Sequence, residues 1–119
     1  EVQYLESLKI DIFQTRIFVF TPRGDVIDLP EDATPIDFAY HIHTDIGHTM
    51  SKAKVNDIVV PLNHKLKSGD VIEITVNKNQ AGPSEQWLSF VNTHSAKRHI
   101  QAYLNKKIHN ERKKLLGSS

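Results

Sequence analysis

The stretch ATPIDFAYHIHTDIGH, residues 33–48, decides how the rest of the chain is read. Thr34 suits an N-cap, Pro35 the first helical position, and Asp37 the place three residues after the cap. Gly47 follows Ile46 as a C-terminal signal. The spacing predicts one helix of about three turns, with His41 and His43 on it and His48 just past its end.

Extended segments flank this helix on both sides. RIFVFTPRGDVIDLP, residues 16–30, reads as a β-hairpin: Ile17–Phe20 is a β-branched and aromatic run, TPRGD supplies turn residues, and Val26, Ile27 and Leu29 resume the extended pattern until Pro30. Downstream, AKVND and IVVPL are joined by the tight-turn dipeptide Asn56-Asp57. In DVIEITV, Val71, Glu73 and Thr75 alternate with Ile72, Ile74 and Val76, after a connection that turns at Gly69. Strand, strand, helix, strand, strand, strand predicts an α+β domain: a ubiquitin-like β-grasp with a five-stranded mixed sheet and one main helix.

The pattern changes after Lys78. NQAGP reads as a hinge. SEQWLSFVN opens with a Ser cap and spaces Trp87, Phe90 and Val91 helically. SAKRHIQAYLNKKIHNERKKLL has a second Ser cap, then Ile100, Tyr103, Leu104, Ile108 and Leu115 with basic residues between them. The predicted organisation is an incoming linker over 1–15, the β-grasp domain over 16–78, and a hinge with C-terminal α-helices over 79–119.

Charge divides along the same line. Residues 1–94 carry 8 Lys/Arg against 13 Asp/Glu, whereas 95–119 carry 7 Lys/Arg and 1 Glu, so a net +1 conceals −5 and +6. The basic helix suits an anionic partner, or is simply a solvated face. Cys is absent, which excludes disulfides, thiolate metal sites and a Cys nucleophile, and fits a reducing compartment. No apolar run approaches the ~20 residues of a membrane span, and no secretory signal is visible. A cytoplasmic chain with no membrane contact is expected.

Three of seven histidines fall in residues 39–50. With Ile36 at zero on a helical wheel, His43 falls near ~340°, at the rim of the apolar arc, and His41 near ~140°, toward solvent. His-x-His rings diverge on a helix, and helical zinc pairs use i,i+4 spacing, so no metal site is expected. G-x-S-x-G, Walker A and G-x-G-x-x-G motifs are all absent, so no catalytic residue and no cofactor are expected in this chain. Residue chemistry alone leaves His43 as a packing histidine at a helix rim.

The segments IFVFTPRGDVIDLPEDATPIDFAYHIHTDIGH and KAKVND-IVVPLNHKLKSGDVIEI, flanked by ESLKIDIF and GPSEQWLSFVNTHSAKRHI, resemble the TGS domain of the long RelA/SpoT-type proteins. These are the (p)ppGpp synthetases and hydrolases of the stringent response. The resemblance implies a regulatory segment of a GTP pyrophosphokinase and/or (p)ppGpp hydrolase whose catalytic domains lie before residue 1, the helices from Ser84 opening the helical domain after TGS. It also implies that TGS reads the 3′ CCA end of deacylated tRNA on the ribosome, and the match to DFAYHIH assigns that contact to His43. Tyr40, His41, Thr44 and His48 are candidate supporting residues by proximity in sequence. Lys52, Lys54, Lys97, Arg98, Lys106 and Lys107 are candidate contacts to RNA backbone. In SpoT-like members the domain is implicated in binding acyl carrier protein. That makes a protein-interaction module, bound to this partner or to the enzyme's own catalytic half, the alternative expectation.

Overall fold

The computed structural model describes residues 15–79 and 81–116. The predicted linker over 1–15 lies outside the described residues except for Thr15. Strands β1 (Arg16–Phe20) and β2 (Val26–Pro30) pair antiparallel, from Arg16↔Pro30 to Phe20↔Val26. Their turn closes on Thr21, which accepts from Gly24 N–H through its carbonyl and from Asp25 N–H through its hydroxyl. Strands β3 (Met50–Val55) and β4 (Ile58–Val60) form a second hairpin through Asn56 and Asp57. Both turn residues hold positive φ, 52° and 68°, the backbone that a two-residue hairpin turn with Asn and Asp tolerates. Strand β5 (Ile72–Val76) pairs antiparallel with β3 across an irregularity between Met50 and Lys52.

One parallel bridge, Phe20↔Val71, joins the two sheets. It is reinforced by Phe20 N–H to Asp70 O and Gly69 N–H to Phe18 O, both 2.8 Å. Across that bridge the strands run in the order β2-β1-β5-β3-β4, a mixed arrangement in keeping with the predicted β-grasp. The sheet is nevertheless two ladders rather than one. β1 ends at Phe20 and β5 begins at Ile72, so the parallel neighbours overlap only at their ends.

The predicted single helix is in fact two. Helix α1 (Pro35–Ile42) and helix α2 (Thr44–Thr49) meet at His43, whose backbone is extended (φ −167°, ψ 145°). His43 N–H closes α1 on Ala39 O at 3.1 Å, and the His43 ring Nδ1 accepts from Asp45 N–H at 3.0 Å to start α2. The side chain of His43 thus replaces a missing helical bond, a role short polar side chains usually fill. Gly47 is therefore not a stop. It sits inside α2 against the Tyr40 ring, where a Cβ would come 2.3 Å from a ring carbon. His48 lies in α2, not beyond it.

The start of α1 is as predicted: Thr34 N-cap, Pro35 at the first position, and Asp37 accepting from Thr34 N–H at 3.0 Å. Downstream come a 3-10 helix (Glu85–Ser89) and the long helix α3 (His94–Leu115). The cap of α3 is Thr93, whose hydroxyl accepts from Ala96 N–H at 3.1 Å, and not Ser95. Two apolar clusters fill the interior. One holds Ile17, Val19, Leu29, Phe38, Val55, Leu66 and Ile72 between the sheets and α1. The other joins Ile36, Ala39, Tyr40, Met50 and Ala53 to Trp87, Val91, Ala96 and Ile100. The first turns of α3 thereby share a core with the β-grasp. Its remainder emerges: Ile108 is 50% exposed and Leu115 86%.

Candidate functional site

His43 occupies the break between α1 and α2 because it is both the C-cap of one and the N-cap of the other. Its side chain is 64% exposed, not packed at a rim as the wheel predicts, because the wheel assumes a helical backbone that His43 does not have. The ring is nonetheless fixed. Since Nδ1 accepts from Asp45 N–H, a neutral ring carries its proton on Nε2, which makes the outer edge of the imidazole a hydrogen-bond donor. The Asp45 carboxylate stands 3.9 Å from Nδ1.

The other predicted residues are divided among separate surfaces. Tyr40 is buried; its hydroxyl is 2.9 Å from His48 Nδ1, and its ring stacks on His99 at 6.0 Å between centroids, 4° from parallel. Burial, and next the neighbouring Tyr103, raises the Tyr40 phenol well above its ordinary value, so it stays a neutral donor or acceptor to His48. Thr44 and His48 line a groove of about 680 Å³ with His99, Tyr103, Lys106 and Lys107. The rings of His48 and Tyr103 are 5.0 Å apart. Burial, with His99 as the next cause, holds the His48 imidazole below its ordinary value, against an opposite pull from Asp45.

His41 is exposed and lines a different, small pocket with Arg16, Asp28, Thr93 and Ser95. Lys52 and Lys54 alternate with the buried Ala53, placing them on the sheet face away from α1. Lys97 and Arg98 are exposed on the first turn of α3, outside the groove that Lys106 and Lys107 line. The structure thus gathers Thr44, His48, Lys106 and Lys107, and separates them from Lys52, Lys54, His41, Lys97 and Arg98.

Two features carry no local sequence signal. A second groove, of about 550 Å³, runs between the β1–β2 turn and β5. Arg23, Ile42, Ile46, Ile74 and Val76 are among its walls, and Ile42 and Ile46 flank the His43 break. The ring cluster Tyr40–His48–His99–Tyr103 is the other; it forms because α3 crosses α1 and α2 some fifty residues further along. Among the described residues, no group of three or more His, Cys, Asp or Glu side chains could hold a metal ion, and no helix is long and apolar enough to cross a membrane.

Comparison with known proteins agrees with this architecture. The family model for the TGS domain matches residues 17–76. The chain is 50% identical over 104 residues to a guanosine-3′,5′-bis(diphosphate) 3′-pyrophosphohydrolase of Aquifex aeolicus, covering 87% of the chain and 15% of that protein. It is 47% identical over 102 residues to a GTP pyrophosphokinase of Myxococcus xanthus (86% of the chain, 13% of that protein). It is also 47% identical over 105 residues to a bifunctional (p)ppGpp synthase/hydrolase RelA of Mycobacterium tuberculosis (87% and 14%). The chain therefore spans about one seventh of the length of these relatives. With the profile, the strand order and these relatives in agreement, the chain belongs to the TGS domain family, in its RelA/SpoT-type branch.

Proposed function

We propose that this chain is a regulatory segment of a (p)ppGpp-synthesising and/or -hydrolysing enzyme of the stringent response. It performs no chemistry of its own. On the ribosome it reads the 3′ CCA end of deacylated tRNA and thereby controls (p)ppGpp synthesis in the cytoplasm. The observation that carries this reading is the state of His43: held at Nδ1 by Asp45 N–H, with its side chain 64% exposed. An N–H donor on a held, exposed ring, with Ile42 and Ile46 on either side of it in sequence lining a groove, suits a terminal ribose hydroxyl. Ile42, Ile46 and Val76 give that groove an apolar wall against which a base can pack, and Arg23 gives it a cation for a phosphate. An aminoacyl ester on the same ribose would crowd the donor or leave it unpaired, so a charged tRNA is rejected without catalysis.

The test places His43→Glu in a full-length enzyme carrying this segment and measures synthesis with ribosomes and deacylated tRNA. Stimulation is expected to fall by at least about tenfold, the range of a typical coupling energy. Undiminished stimulation would refute the assignment. A second reading is a module that binds the enzyme's own catalytic half, with α3 coupled to the β-grasp through the core the two share. The same core would transmit a tRNA signal, so the two readings are compatible. Acyl carrier protein, as a small acidic partner, would engage the basic helix instead, and its capture should respond to Lys106 and Lys107 but not to His43.

A further inference from the structure

We propose that Asp37 is the joint through which the reading end of α1 moves the long helix α3. This inference rests on the His43 reading for what is transmitted, but not for the joint itself. Asp37 is 1% exposed, yet its carboxylate serves two elements at once. Oδ2 accepts from Thr34 N–H at 3.0 Å, completing the start of α1. Asn92 N–H donates to both oxygens at 3.0 and 2.9 Å, and Thr93 donates to Oδ1 from its N–H at 3.0 Å and its hydroxyl at 2.9 Å.

That hydroxyl also accepts from Ala96 N–H, so the cap of α3 is itself held by Asp37. A buried carboxylate at a helix N-terminus is favourable because free N–H groups and the helix dipole both face it. Asn92 adds a tie from its side-chain amide to Glu31 O at 3.1 Å. At 22 residues, α3 is about 33 Å long, and only its first half, to Leu104, is packed. A small tilt of α1 at Asp37 therefore becomes a larger displacement at the far end of α3. The core made by Ile17, Val19, Leu29, Phe38, Val55, Leu66 and Ile72 includes no α3 residue, so the β-grasp keeps an interior of its own when α3 shifts.

The chain has no cysteine, so spin labels can be placed cleanly at Ile58→Cys on β4 and Glu111→Cys on α3. A single narrow label distance is expected in the doubly labelled chain and with Thr93→Ser. Broadening is expected with Asp37→Asn and with Thr93→Val, while the β-grasp amide spectrum stays dispersed. Narrow distances in both Asp37→Asn and Thr93→Val would overturn the joint. Should Asp37→Asn fail to fold, Thr93→Val, which keeps the carboxylate and its backbone donors, decides alone.

In a full-length enzyme, Asp37→Asn should lower the ratio of tRNA-stimulated to basal synthesis about tenfold while tRNA affinity stays within about threefold. Affinity falling in step with stimulation would overturn transmission through Asp37. If instead His43→Glu leaves stimulation intact while the distances broaden as expected, the His43 reading fails and the joint stands.

Discussion

The two ends of α1 are built from the same kind of device and used in opposite ways. At each, a polar side chain satisfies N–H groups that a helix leaves free: Asp37 at the start, His43 at the end. Asp37 is sealed from water and tied to a segment 55 residues away. His43 is tied only to its neighbour Asp45 and leaves most of its ring in solvent. The first arrangement suits the proposed joint and the second the proposed reader. Burial decides which: a satisfied buried group resists change, whereas a satisfied exposed group keeps a free edge for a partner.

Breaking the buried end should cost most. In Asp37→Asn, either orientation of the amide turns an NH₂ toward N–H donors, because both oxygens accept from backbone N–H groups. A loss of about 2–4 kcal/mol in unfolding free energy is expected, from buried donors left without an acceptor. Urea titration of this chain measures it, and a loss below about 1 kcal/mol would mean that water replaces the carboxylate.

Next in size is the packing behind the break at His43. In Gly47→Ala the new methyl would meet the Tyr40 ring, which is itself fixed by His48 and His99. A cost of about 1–3 kcal/mol is expected, since a buried ring has no room to retreat. If the same change in a full-length enzyme also weakens tRNA stimulation, α2 positions His43; if only stability falls, the cap geometry is local.

The exposed end should be the cheapest to cut. His43→Ala removes a cap from α2 and is expected to cost about 0.5–1 kcal/mol, with His43→Asn restoring part of it. The contrast is the point: the residue with the small effect on stability is the one expected to cut stimulation at least about tenfold.

Much of this was readable in the chain because the signals were local. Thr34-Pro35 and Asp37, the Asn56-Asp57 turn and the alternation in Val71–Val76 each specify structure within a few residues, and together they give the β-grasp. The break at His43 was not readable. Residues 36–46 keep a helical apolar spacing through it, and no rule of spacing reveals that a histidine ring will accept from the N–H two residues on. Locally, Asp37 reads as a capping residue and no more, because Asn92 and Thr93 reach it only through the fold. The same holds for the ring cluster, in which His99 and Tyr103 arrive on α3 to meet Tyr40 and His48.

The smallest expected effect concerns His48, where the two styles meet: half-buried, bonded to Tyr40, yet open to the groove. Its imidazole is held below its ordinary value by burial and by His99. The unfolded chain therefore takes up a proton at higher pH than the folded one, near the ordinary value of about 6.5. The stability His48 contributes is complete above that pH and is lost as pH falls through it. Burial raises the Asp37 carboxyl, against the bonds from Thr34, Asn92 and Thr93 that pull it down. Comparing the chain with its His48→Asn variant cancels Asp37, which both retain. The difference between their thermal midpoints should shrink from pH 7.5 to about pH 5.5, below the ordinary histidine value. A difference that stays constant would mean that His48 gains its proton as easily folded as unfolded.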